Sequence, residues 1–148
     1  MTLSLQEISD RFELQDLVFR YSEIVDRKAF EELREIFTED ARIDYRGTGG
    51  VVGNLEQTIG FLHSALGIFP NHQHLVSNTQ FTIDGDKAIG KVMCLNPMEM
   101  KVEEGTHTFL LGLWYLDEFV RTADGWFFIT RSQEASWNLN LPPQMMTR

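Results

Sequence analysis

Apolar side chains in the first third of the chain recur with the spacing of an α-helix. Ser4, followed three residues later by Glu7, has the form of a capping box, which begins a helix. Asp26 comes directly after the last apolar pair of this stretch. The pattern predicts a first helix from Ser4 to about Asp26. Its core-facing positions recur every three to five residues and end in an adjacent pair: Leu5, Ile8, Phe12, Leu17, Tyr21, Ile24 and Val25.

Two shorter helices and one strand follow in the pattern. A second helix is predicted over about residues 29–37, with Phe30 and Leu33 among its buried positions. The segment ARIDYR, which ends near Tyr45, predicts a short strand, and GTGG predicts a turn. A third helix is predicted for NLEQTIGFLHSAL, because Asn54 is a favourable residue for its N-cap.

The second half of the chain has the texture of a β-sheet. After Pro70 come four long segments rich in β-branched and aromatic residues, HQHLVSNTQFTI, KAIGKVMCLNPMEM, HTFLLGLWYLDEFVR and GWFFITRSQEASW. Asp84-Gly85 and Asp124-Gly125 are hairpin-turn signals, and a turn is also expected at 103–105. The sequence therefore predicts an α+β fold, a single domain over residues 1–148. Three N-terminal helices would cover a curved antiparallel sheet, closed as a cone (a cystatin-like α+β barrel) around a small pocket.

Charge and cysteine content narrow the classes of function. The 148 residues include 13 Lys and Arg against 22 Asp and Glu, so the net charge of −9 disfavours nucleic acid and anionic membrane surfaces as partners. Cys94 is the single cysteine, which excludes an intrachain disulfide and a cysteine-based zinc site. With no stretch of about 18 apolar residues and no signal-peptide pattern, we expect a cytoplasmic protein.

The common catalytic motifs are absent, which leaves scattered polar groups in apolar settings. There is no phosphate-binding glycine loop, no G-x-S-x-G and no H-E-x-x-H. His72 and His74 share one face at the start of a predicted strand. Either both are partly solvated structural residues, or one of them points into the pocket. Their H-x-H spacing also permits a metal site, but no carboxylate is obviously placed to complete it, so no metal ligands are assigned.

Further candidates are individually ambiguous. Asp26 at a helix C-terminus faces the negative end of the helix dipole, which calls for a compensating partner such as a histidine. Tyr21 and Tyr45 can offer hydroxyl groups to a pocket, although most such tyrosines only pack. Arg131 is either a pocket cation or a surface partner for an acid. The remaining candidates are apolar side chains that more often belong to the core than to a pocket wall: Met98, Phe109, Leu111 and Trp114.

Taken together, YSEIVDRKAFEELREIF, ARIDYR, HQHLVSNTQF and DEFVRTADGWFF resemble the SnoaL-like branch of the nuclear-transport-factor-2-like fold. The resemblance covers roughly Leu5 to Trp137. It is closest to lyases of the scytalone dehydratase and hexachlorocyclohexane dehydrochlorinase types. It implies that His74, rather than His72, is a base that removes a proton from carbon, and that Asp26 orients it. It also implies that Tyr45 and Arg131 serve the substrate pocket, that no cofactor is needed, and that the protein is a homodimer or homotrimer.

Departures from the two lyase types limit the choice of substrate. Met98 stands where the dehydratase type has a second pocket histidine, while Phe109 and Leu111 stand where it has a serine and an asparagine. Tyr21 stands where the dehydrochlorinase type has a lysine. These differences argue against scytalone itself and put assisted chloride departure in doubt.

The function expected from the sequence is a lyase or isomerase for a small hydrophobic or aromatic cyclic molecule. Two alternatives remain open at this point. The chain is also compatible with a non-catalytic small-molecule-binding domain, because this fold serves both purposes. The other alternative is a small subunit of a ring-hydroxylating dioxygenase.

Overall fold

The first helix begins at a capping box and ends at a carboxylate. In the computed structural model, which describes residues 2–146, helix α1 spans Leu5–Asp26. The Ser4 hydroxyl accepts a hydrogen bond from the Glu7 amide at 3.2 Å, and the Glu7 carboxylate accepts one from the Ser4 amide at 2.7 Å. The predicted capping box is therefore confirmed.

The buried face of α1 differs from the prediction in its first turns. Leu5 and Phe12 are exposed, whereas Asp10 is buried. The Asp10 carboxylate accepts hydrogen bonds from the Trp126 indole at 3.0 Å and from the Arg121 guanidinium at 2.5 Å. Because both donors lie more than a hundred residues further along the chain, the spacing of apolar residues in α1 cannot reveal them.

Beyond α1, the described residues form a second α-helix, three short 3-10 helices and seven strands. Helix α2 spans Leu55–Leu66 and begins at the Asn54 cap, as predicted. The predicted second helix is a 3-10 helix of six residues, Phe30–Glu35, and the strand after it begins at Phe37, earlier than expected. The other 3-10 helices are Arg46–Thr48 and Pro143–Met145. The strands are β1 Phe37–Asp44, β2 Val52–Asn54, β3 Asn71–His72, β4 Leu75–Asp84, β5 Lys87–Lys101, β6 Thr106–Thr122 and β7 Gly125–Leu139.

The seven strands form one strongly curled, mixed sheet. Its order is β2-β1-β7-β6-β5-β3, and β4 also pairs with β5. All pairs are antiparallel except β1 with β7, which are parallel, so the prediction of an entirely antiparallel sheet is wrong at this one junction. A tight hairpin forces two strands to be antiparallel. Since β1 and β7 are far apart in the sequence, no hairpin sets their relative direction.

The predicted hairpin turns are confirmed. Gly85, Gly105 and Gly125 have φ values of +59°, +90° and +110°, a region that favours glycine over residues with a Cβ. They connect β4 to β5, β5 to β6, and β6 to β7. As a result, three consecutive antiparallel pairs form the wall that carries most of the candidate site residues.

The helical segments pack onto the sheet and close a half-barrel of α+β type, as expected. A second, smaller apolar cluster contains Phe69, Met98 and Phe109, and Leu66 and Leu111 pack against both this cluster and the main core. The predicted single domain includes three residues, 1, 147 and 148, that lie outside the described residues. Among the described helices, none combines the length and apolar character that a membrane crossing requires.

Candidate active site

The last residue of α1 meets the break between β3 and β4. Asp26 Oδ1 lies 2.7 Å from His74 Nδ1, and Asp26 Oδ2 accepts a hydrogen bond of 2.9 Å from the His74 backbone amide. The side chain of His74 is only 7% exposed. The helix end and the strand start are therefore joined by two contacts between the same two residues.

The predicted single strand over HQHLVSNTQFTI is interrupted at this point, and the interruption positions His74. The Gln73 amide donates to the Pro97 carbonyl at 3.1 Å, and the Gln73 carbonyl accepts from the Asn96 side chain at 2.8 Å. Both partners of Gln73 lie on β5, so this residue is fixed from one side. The backbone amide of the next residue, His74, donates to the Asp26 carboxylate instead of to a neighbouring strand.

His72 approaches the same carboxylate oxygen. Its Nδ1 lies 3.3 Å from Asp26 Oδ1, and its side chain is 1% exposed. In the antiparallel pairing of β3 with β5, His72 lies opposite Met98. One carboxylate oxygen thus faces the rings of both histidines.

These contacts keep Asp26 ionised. Burial alone would raise the pKa of the Asp26 carboxyl, but hydrogen bonds from the His72 ring, the His74 ring and the His74 backbone amide hold it well below its ordinary value. An ionised carboxylate only accepts hydrogen bonds, so the ring nitrogen that contacts it must carry a proton. In a neutral His74 ring with its proton on Nδ1, the second ring nitrogen, Nε2, carries a lone pair and can act as a base.

His74 forms part of the wall of a small cavity between the helices and the sheet. The cavity has a volume of about 120 Å³. Its polar lining includes Tyr21, Tyr45, Asn96 and Gln133, and its remaining wall is mostly apolar: Val25, Phe61, Leu62, Ala65, Leu66, Phe69, Met98, Leu111 and Met145. A base at the wall of a largely apolar cavity is suited to chemistry that excludes water.

Two tyrosines supply hydroxyl groups to this cavity. The hydroxyl oxygens of Tyr21 and Tyr45 lie 2.5 Å apart, and both residues are buried. Burial raises the pKa of Tyr21 and raises that of Tyr45 well above its ordinary value, so both remain neutral hydroxyl donors at physiological pH. In a hydrogen-bonded pair of hydroxyls, one donates its proton to the other, and the accepting hydroxyl keeps its own proton for a further acceptor.

Arg131 lies behind the tyrosine pair rather than at the cavity wall. Its guanidinium donates two hydrogen bonds of 2.8 Å to Asp117, and both residues are buried. The guanidinium carbon also lies over the rings of Tyr21 at 4.1 Å and Tyr115 at 3.9 Å. Burial works to lower the pKa of Arg131, but the attraction of Asp117 outweighs it and raises that pKa, so Arg131 is a fixed cation.

Cys94 is not a candidate nucleophile. Its side chain is buried on β5, and burial raises the pKa of the thiol to about 12. A thiol with such a pKa is almost entirely protonated near neutral pH, and the thiolate is the reactive form.

With this geometry established, comparison with known proteins identifies the family. A family profile described as a SnoaL-like domain matches residues 6–132. The chain belongs to the SnoaL-like domain family. Among curated proteins, the uncharacterized protein Rv2910c of Mycobacterium tuberculosis is 44% identical over 129 residues, which cover 87% of each chain. The family resemblance predicted from the sequence is therefore confirmed.

Solved structures give the same answer for the fold of this SnoaL-like chain. The Kfla4162 protein of Kribbella flavida is 28% identical, with a TM-score of 0.83 over 90% of this chain and 95% of that one. A scytalone dehydratase-like protein of Novosphingobium aromaticivorans is 19% identical, with a TM-score of 0.81 over 92% and 90%. Hexachlorocyclohexane dehydrochlorinase LinA-type3 of Novosphingobium barchaimii is 20% identical, with a TM-score of 0.80 over 94% of each chain. At this identity, the last two show a shared fold.

The SnoaL-like chain brings most of the predicted site residues together. His74, Tyr21, Tyr45, Met98 and Leu111 all line the one cavity, with Asp26 directly behind His74.

The remaining three predicted site residues lie elsewhere. Phe109 packs against Phe69 and Met98 in the small apolar cluster, one layer behind the cavity wall. Arg131 contacts the back of Tyr21. Trp114 lies on the outer face of β6, where the Lys91 ammonium sits 4.6 Å from its ring, because side chains alternate between the two faces of a strand.

Several residues of the site were not predicted. Asn96 occupies an inward position of β5 among apolar residues, and this polar residue in an apolar series is a signal that the sequence does contain. Gln133 and Met145 line the cavity from β7 and from the C-terminal 3-10 helix. Asp117, the partner of Arg131, looks like a surface acid in the sequence, because the buried cation opposite it lies on another strand.

The site also bears on the question of a metal ion. Contrary to the expectation from the sequence, a carboxylate does lie beside the H-x-H pair, and one atom each of Asp26, His72 and His74 fall within 4.8 Å of one another. These residues have the donor types that bind transition metals. Hydrogen bonding alone accounts for the 2.7 Å between His74 Nδ1 and Asp26 Oδ1.

Proposed function

We propose that this SnoaL-like protein is a cofactor-independent lyase or isomerase in which His74 removes a carbon-bound proton from a small hydrophobic cyclic substrate. The observation that carries the proposal is the Asp26–His74 contact at the wall of an apolar cavity. The family and its dehydrochlorinase-type and dehydratase-type structural neighbours are consistent with such chemistry.

In the proposed step, the lone pair of His74 Nε2 takes the proton and forms a new N–H bond. The electron pair of the broken C–H bond becomes a C=C bond. In an elimination, the leaving group departs from the neighbouring carbon with its own bonding pair. In an isomerisation, an existing double bond of the substrate next to that carbon shifts by one position, and its displaced π pair takes the proton back at another carbon. Asp26 stabilises the imidazolium, and a positioned base of this kind is typically worth about 10²–10⁴-fold in rate.

The tyrosine pair is placed to act on the oxygen or leaving group of the substrate. Tyr21 and Tyr45 line the same cavity as His74, and their hydroxyls are hydrogen-bonded to each other. In an apolar cavity, a donor aimed at developing negative charge is worth more than in water. The Arg131 cation behind the Tyr21 ring favours negative charge on this side of the cavity.

The size of the cavity limits the substrate. Its volume of about 120 Å³ is slightly smaller than the cavity of about 150 Å³ that is known to admit benzene in another protein. A single six-membered ring is near the upper limit of this scale. We therefore expect monocyclic hydroxylated or halogenated compounds to be better substrates than fused-ring ones.

The test uses a matched pair of variants and a panel of monocyclic compounds. In His74→Asn, the amide nitrogen can still donate to Asp26 from the place of Nδ1, while the Nε2 base is removed. His63→Asn is the control, because His63 is exposed on α2. Wild type and the control should catalyse exchange of the acidic substrate proton with deuterium from the solvent, and His74→Asn should not. Retention of wild-type exchange by folded His74→Asn would disprove the proposed base.

A non-catalytic binding domain is the second candidate, and the largely apolar cavity favours it independently of the histidine. It predicts that a ring compound binds with equal affinity to wild type and to His74→Asn, without turnover by either. A dioxygenase small subunit predicts co-purification with a larger iron-containing chain. The homo-oligomer and the cytoplasmic location expected from the sequence stay predictions.

A further inference from the structure

His72 is the buried histidine that the proposed reaction leaves without a role. Its ring contacts Asp26 through Nδ1 at 3.3 Å. Its other ring nitrogen, Nε2, is buried and has no hydrogen-bond partner among the described residues. A buried acceptor without a partner is costly, and such groups in native proteins call for an explanation.

The proton count at Asp26 fixes the state of both rings. The ionised Asp26 can only accept, and it receives the His74 amide on Oδ2. Its Oδ1 faces Nδ1 of both His72 and His74, so each of these nitrogens must carry a proton. In a neutral His72 ring, the one proton is then on Nδ1, and the unpaired Nε2 is a buried lone pair.

This arrangement constrains the carboxylate from two sides. A carboxylate that bonded His74 alone could rotate about its side-chain bonds and still keep one contact. With His72 bonded to the same oxygen, rotation of Asp26 would break a second hydrogen bond and leave Nδ1 of His72 buried without a partner. A leucine or methionine at position 72 would fill similar space without an unpaired acceptor, so packing alone does not explain a histidine here.

We propose that His72 is a positioning residue: its Nδ1–H holds Asp26 Oδ1 opposite His74 and thereby fixes His74 as the Nδ1–H tautomer, with Nε2 directed to the cavity. The tautomer itself is a property of the resting protein. Its catalytic consequence rests on the function proposed above.

The first test reads the tautomers directly, without any substrate. Nitrogen-15 NMR of the imidazole groups distinguishes a protonated from an unprotonated ring nitrogen. In the wild-type protein above neutral pH, His72 and His74 should both be Nδ1–H tautomers, while His63, an exposed ring whose Nε2 faces Glu31 at 3.4 Å, serves as the surface reference. A neutral His72 ring with its proton on Nε2 instead of Nδ1 would overturn the proposal, because its Nδ1 would then have no proton to donate.

The second test compares two substitutions of His72. His72→Asn keeps an N–H near the place of Nδ1, whereas His72→Leu removes it. In His72→Leu, we expect the His74 ring to become a mixture of tautomers and kcat to fall by about ten- to a hundredfold with little change in KM, as for other small misplacements of catalytic groups. His72→Asn should keep most of the wild-type kcat and most of the Nδ1–H tautomer of His74. If folded His72→Leu keeps the wild-type tautomer and kcat, His72 only packs.

Metal analysis of the purified protein completes the test. A stoichiometric transition metal whose removal by a chelator shifts the ring signals of His72 and His74 would overturn the proposal, since a metal and a proton cannot share Nδ1. Failure here is separable from failure of the proposed reaction. The tautomers are measured without substrate, and an active His74→Asn would disprove the base whatever state His72 adopts.

Discussion

His74 contacts Asp26 twice, through its ring at 2.7 Å and through its own backbone amide at 2.9 Å. The backbone contact matters because it fixes where the histidine enters the cavity, independently of the rotation of its ring. A helix end is an unfavourable place for an unpartnered carboxylate. At the end of α1, two histidine rings and one amide compensate Asp26.

The first prediction concerns Asp26→Asn. The amide keeps the shape of the carboxylate but lacks the charge that stabilises the His74 imidazolium. Its N–H group would also face His74 Nδ1, which in the wild type carries a proton of its own, so the two donors would clash. With a compound of the monocyclic panel that the wild type turns over, we expect kcat to fall by about 10²-fold or more. Steady-state kinetics with circular dichroism as the folding control test this. A folded Asp26→Asn with full kcat would show that the charge is not needed.

The second prediction concerns acid stability. The pKa of Asp26 is lowered in the folded protein from an ordinary value of 3.8, so the unfolded chain binds this proton at higher pH than the folded one. The resulting stabilisation is complete above pH 3.8 and is lost as the pH falls towards the folded-state pKa. Urea unfolding between pH 6 and pH 2, at about one-unit steps, should show a steeper loss in the wild type than in Asp26→Asn. Parallel curves would mean that Asp26 has similar pKa values in the two states.

The fold could be predicted from the sequence to a large extent, because local signals specify most of it. The Ser4 cap, the Asn54 cap and the glycines of the three hairpins each act within a few residues of themselves. The parallel pairing of β1 with β7 could not be predicted in this way. The direction of this pairing depends on how the whole chain brings β7 beside β1, and no signal within either strand determines that.

The candidate site likewise has a part that could be predicted from the sequence and a part that could not. His74 and Asp26 could be proposed because their segments resemble a known family. The sharing of Asp26 between His72 and His74, and the pairing of Arg131 with Asp117, could not be proposed, because each depends on side-chain directions at contacts between elements. Trp114 shows the same limit, since a one-residue difference on a strand moves a side chain to the opposite face.

The third prediction concerns the buried Arg131–Asp117 pair. Removing one partner leaves a charge buried and unpaired, so Arg131→Met or Asp117→Leu alone should lower the free energy of unfolding by about 3–5 kcal/mol. The double variant should be less destabilised than either single variant, because no unpaired charge remains. Denaturant unfolding of the four proteins gives the coupling energy. Additive losses would show that the two charges do not depend on each other.

The last prediction concerns the tyrosine pair. Tyr45→Phe removes one hydroxyl of the pair at 2.5 Å while keeping the ring that packs near Phe61. If the pair donates to negative charge that develops in the reaction, kcat should fall by about 10- to 10³-fold, the range seen for loss of one such donor, while KM changes little. Tyr115→Phe is the matched control, because the Tyr115 hydroxyl is buried without a partner among the described residues and does not line the cavity. Equal kcat values for wild type and Tyr45→Phe would place the hydroxyl pair outside the reaction and leave it a purely structural contact between α1 and the end of β1.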